Sequence, residues 1–222
     1  YGDKVAARKL AADCGVPTVP GTGDPVDVAA AEAFFADLPA GAAMILKAVS
    51  GGGGRGMRMV RKADEIAGAL EAAQREALAA FGDDRMVLER RVQPARHIEI
   101  QMFGDMHGDA VSLHERECSV QRRHQKVVEE SPSVALTPAL REEMGRAACQ
   151  LTKAVGYVGA GTVEFLYSEG AFYFLEMNTR LQVEHPISEI RYGADFVREQ
   201  LRVAMGARVS EPGEPRGHAI EI

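Results

Sequence analysis

Glu164, Glu176, Asn178 and Arg180 form the densest group of residues with evident chemistry. Thr162 to Tyr167 and Phe172 to Met177 read as the two strands of a hairpin around Ser168-Glu-Gly170. The two-residue period of a strand turns Glu176 and Asn178 to one face. A three-residue loop would set Glu164 opposite Phe174 and on that same face, diagonal to Glu176. A two-residue loop would throw the two glutamates to opposite faces. The first register gathers two carboxylates and an amide oxygen, an all-oxygen set suited to Mg²⁺ or Mn²⁺. These acids interrupt apolar strands (Val163, Phe165, Phe172, Phe174, Leu175), where unpaired carboxylates are rare.

Anion chemistry is offered elsewhere. Gly51-Gly-Gly-Gly-Arg-Gly56 contains G-x-G-x-x-G, but Met57-Arg-Met-Val-Arg61 after it reads as a strand. A dinucleotide fingerprint should open a helix, and a Walker A loop needs Gly-Lys-Ser/Thr. What remains is a hairpin tip whose backbone N–H groups can approach phosphate oxygens closely. Lys47 lies on the strand feeding it, among Ile45, Leu46 and Val49, where burial is costly unless an anion meets the ammonium. Gln121-Arg-Arg-His-Gln-Lys126 is either a solvated charge run or half of an anion site. Arg180-Leu-Gln-Val-Glu-His185 adds a cation, an amide and an acid, enough to hold a small planar anion and supply a general base. Glu89 and His97 stand near residues 92 to 96, where the chain changes character. His114-Glu-Arg-Glu-Cys118 lacks the second histidine of a zinc motif.

The elements that must position these residues follow from periodicity. Helices are expected over Val5 to Cys14, Val28 to Leu38, Ala63 to Phe81, Thr137 to about Gly156, and about Ile187 to Met205. Strands are expected over Met44 to Val49, Met57 to Arg61, Met86 to Val92, Ile98 to Phe103, Ala110 to His114 and the two arms of the hairpin. The class is α+β, with two antiparallel sheets meeting near residues 92 to 96.

Composition sets the exclusions. With 26 Lys+Arg against 32 Asp+Glu the net charge is −6, which argues against nucleic acid as a partner. Cys14, Cys118 and Cys149 are widely spaced and odd in number, so a reducing compartment, cytosolic or matrix-like, is the default, and a cytoplasmic setting is the expectation. No apolar run reaches membrane-spanning length.

Six segments, in order along the chain, carry a family resemblance. They are Gly2-Asp-Lys4, Ile45-Leu-Lys-Ala48 with its glycine loop, Glu115-Arg-Glu-Cys-Ser119, Gln121 to Lys126, Gly161-Thr-Val-Glu-Phe165 and Glu176 to His185. Together they closely resemble the biotin carboxylase family. The glutamate hairpin is shared by ATP-grasp enzymes generally, carbamoyl-phosphate synthetases included; the fourth segment and the last are more specific to biotin-dependent carboxylation.

The resemblance implies an ATP-grasp fold, two α+β subdomains whose antiparallel sheets clasp the nucleotide. Residues 1–18 would be a linker helix, 19–92 the lid subdomain with the glycine loop, and 93–222 the central subdomain. It implies ATP contacts from Lys4, Lys47, Gly53, Gly54, Glu89, Arg90, Arg91, Val92, His97, Gln121 and His124, together with Glu164 and Glu176. Arg90 stands where the family often has lysine. The implied metal ligands, for Mg²⁺ or Mn²⁺, are Glu164 and Glu176, with Asn178 assisting. Lys126, Arg180, Gln182, Val183 and Glu184 would hold bicarbonate, with Glu184 as its base and Arg180, Glu184 and Lys126 catalytic. The implied reaction forms carboxyphosphate from ATP and bicarbonate and then carboxylates biotin. The implied partners are a biotin carboxyl carrier domain and a carboxyltransferase component, a homodimer being one assembly the family allows. Relatives also carry a domain of roughly a hundred residues before Gly2 and continue past Ile222. This stretch alone is therefore expected to bind ATP weakly and turn over little.

Overall fold

The structure is a computed structural model, and it describes residues 4–50, 56–123 and 125–222. The chain divides into two compact units, residues 1–9 with 18–93, and residues 10–17 with 94–222. The helix α1 (Lys4–Asp13) contributes residues to both.

The first unit holds α2 (Val28–Ala36), β1 (Met44–Ala48), β2 (Arg58–Val60), α3 (Ile66–Phe81) and β3 (Met86–Arg90). Asp27 caps α2 by accepting from the Ala30 N–H at 2.8 Å. The three strands form an antiparallel sheet in the order β2-β1-β3. Met44, Leu46 and Ala48 alternate with Ile45 and Lys47, so β1 gives its even-numbered residues to the core. Ile66, Leu70, Ala73 and Ala77 recur at helical spacing on α3 and close that core, with Met86 and Leu88 from β3. Burying a side chain such as Leu70 contributes roughly 1.5–3 kcal/mol. Lys47 and Glu89 stand on the opposite face.

The second unit holds β4 (Arg96–Gly104), β5 (Ala110–Arg122), β6 (Gln125–Ser131), α4 (Pro138–Ala154), β7 (Gly159–Ser168), β8 (Ala171–Asn178), α5 (His185–Tyr192), α6 (Phe196–Ala204) and β9 (Ala219–Glu221). Its six strands run antiparallel in the order β8-β7-β4-β5-β6-β9. One face is apolar, with Ile98 and Ile100 beside Val163 and Phe165, and it receives Met144, Ala148 and Leu151 of α4. Glu115, opposite Ile100, is tied to Arg141 of α4 at 2.8 and 2.9 Å. The other face is polar and carries Glu99, Gln101, Arg116, Thr162 and Glu164, each under 5% exposed.

Three expectations are corrected. The hairpin loop is two residues long, because Ser168 pairs with Ala171. Glu169 and Gly170 both take positive φ, 49° and 86°, which fits a tight turn of the type that follows strand twist. The glutamates still share a face because the register shifts past Leu175: Phe165 pairs with Phe174, but Glu164 pairs with Glu176. A bulge thus undoes what the shorter loop would have done. The last helix is two helices, broken where Gly193 adopts φ 61°, with Asp195 starting the second by accepting from Arg198 N–H at 2.8 Å. Finally, β5 runs on to Arg122, β6 pairs with it, and the three-residue β9 pairs with β6; the polar residues of β6 and the shortness of β9 obscured them.

Candidate functional site

The polar face of the six-stranded sheet converges on Lys126. Register sets Glu99 of β4 directly opposite Glu164 of β7 on one side and Arg116 of β5 on the other. Lys126 Nζ, from β6, donates to Glu99 Oε2, to Glu164 Oε1 at 3.1 Å and to Glu184 Oε1 at 2.5 Å. Glu184 arrives from the segment before α5, and Gln182 beside it donates through Nε2 to Glu164 Oε1 at 3.2 Å. Beneath them Arg116, 0% exposed, donates to Glu99 Oε1 at 2.5 Å, Gln101 Oε1 at 2.6 Å, Ser188 Oγ at 3.1 Å, Gln182 Oε1 at 3.2 Å and Thr162 Oγ1 at 3.3 Å.

Burial opposes every charge here, and the ion pairs overcome it. Burial works against the Lys126 ammonium, but Glu99, Glu164 and Glu184 hold its pKa above the ordinary lysine value. Burial would raise Glu164; His97 and Lys126 instead bring it down to about 2. Glu184 is likewise lowered, the hydrogen bond and charge of Lys126 outweighing burial. Burial pushes the Cys118 thiol far up, and the nearby Glu99 adds to this.

Three carboxylates against two cations leave this pocket short of positive charge, and Glu176 adds a fourth acid opposite Glu164. His97 Nε2 is buried 2.9 Å from Glu164 Oε2. Hard oxygen donors in surplus fit a divalent cation at Glu164 and Glu176, which register sets opposite each other. Asn178 presents its nitrogen to Glu164, donating at 2.9 Å, rather than the oxygen expected of a metal ligand. His97, Glu99 and Glu164 form a second set of ligand atoms close enough to share an ion.

The first unit has its own charged cluster. Lys47, 6% exposed, meets the Glu89 carboxylate, and Arg8 Nη1 holds the other Glu89 oxygen at 2.9 Å. Arg8 is fixed in turn by the Val19 carbonyl at 2.8 Å. The anion that Lys47 meets among the described residues is therefore a carboxylate. Lys4 Nζ donates to the Ala48 carbonyl at 3.0 Å. Arg90 and Arg91 bond through their backbone N–H groups to Pro20 and Ala43, and Val92 follows them half-buried.

In the second unit Gln121 donates to the Cys118 carbonyl at 2.8 Å. Arg180 is exposed and donates to the Leu181 carbonyl at 3.3 Å, and the Val183 side chain is 82% exposed. Gly53, Gly54 and His124 lie outside the described residues. Sequence reasoning passed over Glu99 and Arg116, which organise the pocket. Glu99 sits in Ile98-Glu-Ile-Gln-Met-Phe103, an alternation that reads as a solvated polar face. The signal available was Arg116 itself, inside a strand with acids on either side.

A small sheet backed by one long helix, and a larger antiparallel sheet with buried carboxylates on its polar face, define an ATP-grasp protein of the α+β class. The chain belongs to the family described as carbamoyl-phosphate synthase L chain, ATP binding domain, whose model matches residues 3–212. It is 50% identical to a pyruvate carboxylase subunit from Methanothermobacter thermautotrophicus, over 99% of this chain and 45% of that protein. Identity to the biotin carboxylase of Haemophilus influenzae is 48%, over 99% of this chain and 50% of that protein. Among solved structures, the biotin carboxylase domain dimer of Hydrogenobacter thermophilus 2-oxoglutarate carboxylase, in complex with MgADP, ADP and bicarbonate, superposes with a TM-score of 0.93 at 42% identity, covering 99% of this chain and 49% of that one. Biotin carboxylase from Campylobacter jejuni, in a beta-gamma-ATP complex, gives the same score and identity over 99% and 50%. The chain thus spans about half the length of the relatives it matches.

Proposed function

We propose that this chain is the ATP- and bicarbonate-handling part of a biotin carboxylase, an ATP-dependent carbon–nitrogen ligase. The observation that carries the reading is the convergence of the Glu164 and Glu184 carboxylates on Lys126, with the Gln182 amide alongside. That set combines a base, a cation and a donor for a small anion with a carboxylate pair for a metal ion.

In this reading Lys4 and Lys47, with the backbone of Gly53 and Gly54, neutralise ATP phosphates, and Glu89, Arg90, Arg91, Val92, His97, Gln121 and His124 line the rest of the nucleotide. Glu164 and Glu176 would hold Mg²⁺ or Mn²⁺, with Asn178 assisting; a bound divalent ion supplies charge neutralisation for phosphoryl transfer. Lys126, Arg180, Gln182 and Val183 hold bicarbonate, and Glu184 takes its proton. A bicarbonate oxygen then forms a bond to the γ-phosphorus as the bond to ADP breaks, giving carboxyphosphate. Its breakdown yields CO₂ and phosphate, the phosphate removes the proton of the biotin ureido nitrogen, and that nitrogen bonds to CO₂. Fixed charges do most of this work, because they are already in place when charge develops.

The domain reading is a lid subdomain over residues 19–92 and a central subdomain over 93–222, preceded by a linker helix. The partners are a biotin carboxyl carrier domain and a carboxyltransferase component, and a homodimer is one assembly open to the full-length protein. The setting is cytoplasmic, in keeping with three free cysteines.

The test is ADP release by the full-length protein with bicarbonate and free biotin. Biotin should stimulate bicarbonate-dependent ATP cleavage. Bicarbonate-dependent cleavage that biotin leaves unchanged, and that ammonia accelerates, would instead indicate a carbamoyl-phosphate-forming enzyme.

A further inference from the structure

The geometry points to Arg116 as a positioning residue for bicarbonate, one that fixes which end of the Gln182 amide faces the anion. This rests on the bicarbonate chemistry proposed above. A primary amide fills nearly the same space in either orientation, so its neighbours must choose between them. A guanidinium carries five N–H donors and no acceptor. The Gln182 atom turned to Arg116 must therefore be oxygen, and Nη2 donates to Oε1 at 3.2 Å. At the other end stands the Glu164 carboxylate, whose oxygen accepts from Gln182 Nε2 at 3.2 Å. Both neighbours impose one orientation. Reversal would set oxygen against carboxylate and N–H against guanidinium.

The consequence is a donor of fixed direction. Nε2 has two hydrogens; Glu164 takes one, and the other is presented to an anion beside Lys126 and Glu184. Arg116 can impose this because its own position is over-determined by Glu99, Gln101, Thr162 and Ser188. The same device recurs at Gln101, whose oxygen accepts from Arg116 while its nitrogen donates to the Gly161 carbonyl at 3.0 Å.

The experiment measures KM for bicarbonate and for ATP in the full-length protein. Arg116→Lys keeps the charge but cannot serve Glu99, Gln101 and Gln182 together. Its KM for bicarbonate should rise about tenfold or more, the scale of one hydrogen bond to a charged group, with KM for ATP changed less than about twofold. In a Gln182→Ala background the same change should add less than about twofold, because the group it positions is gone. Equal effects in both backgrounds, or a parallel rise of both KM values, would overturn the inference. Should Arg116→Lys fail to fold, as judged by circular dichroism, Ser188→Ala removes one anchor of the guanidinium with little loss of volume. It should raise KM for bicarbonate about two- to fivefold at unchanged KM for ATP, on the scale of a neutral hydrogen bond; an unchanged KM for bicarbonate counts against the inference. Absence of bicarbonate-dependent ADP release in the unmodified protein would sink the proposed function first, before any variant is compared.

Discussion

The two sheets carry their buried charge with opposite sign. On the three-stranded sheet one carboxylate, Glu89, is shared by two cations, Lys47 and Arg8. On the six-stranded sheet three carboxylates, Glu99, Glu164 and Glu184, are shared by two cations, Lys126 and Arg116. The first cluster has positive charge to spare and the second negative. In a low-dielectric setting such a surplus determines which ligand is attracted, because each unbalanced charge is costly until a partner of the other sign arrives. Phosphates suit the first cluster and a divalent cation the second. The lesson is that the count of charged residues says less than their local balance.

The comparison can be broken most decisively at its most buried member. Arg116→Met strands Glu99 without its guanidinium and should cost about 3–5 kcal/mol in urea unfolding. Glu89→Gln removes one acid from between two cations that can still meet an amide oxygen, and should cost about 1–3 kcal/mol. If the two losses were equal, the six-stranded cluster would be no more enclosed than the other.

Acid titration sharpens the same contrast. Glu164 has its folded pKa depressed to about 2, below its unfolded value. Its contribution to stability is therefore fully present above about pH 4.5 and is lost as pH falls through the folded value. Lys126→Met removes a partner that lowers that pKa, so its destabilisation should be full at pH 7 and should shrink on acidification below about pH 4.5. A loss in unfolding free energy that stays constant from pH 7 to pH 3 would show that Lys126 acts by packing rather than charge.

How much of this was legible in the sequence depends on whether burial followed hydrophobicity. Where it did, as along Ile66, Leu70, Ala73 and Ala77, the helix and its buried face read directly from spacing. The acids of the hairpin were legible as chemistry because they interrupt apolar strands. Their shared face was not, since it depends on a two-residue turn and a bulge at Leu175 that compensate each other. Strand β6, Gln-Lys-Val-Val-Glu-Glu-Ser, was hidden because its polar residues break any apolar alternation, and two of them, Glu129 and Ser131, are buried. Glu99 and Arg116 were missed for the same reason: periodicity assigns alternating polar residues to water, and only long-range register reveals that this face is covered. The break at Gly193 was legible in principle, since Gly-Ala-Asp195 places a helix stop and a cap side by side.

The smallest effect on stability should accompany a large effect on activity, at Arg180. Its guanidinium is exposed and its hydrogen bond runs to the adjacent Leu181 carbonyl, so the fold asks little of it. Arg180→Ala should leave unfolding within about 0.5 kcal/mol of the unmodified protein. In the full-length protein it should nonetheless lower bicarbonate-dependent ATP cleavage by about 10²–10³-fold, the scale of one electrostatic donor removed from a transition state. ATP affinity by calorimetry should hold. Arg116 and Arg180 then separate the two ways a cation can serve this sheet. One is buried, fixed by five partners and needed for the fold; the other is solvated, unneeded by the fold, and free to close on an anion. Unaltered cleavage in Arg180→Ala would mean that the enclosed cations suffice for the anion, and the charge balance of the buried cluster alone would then set the chemistry.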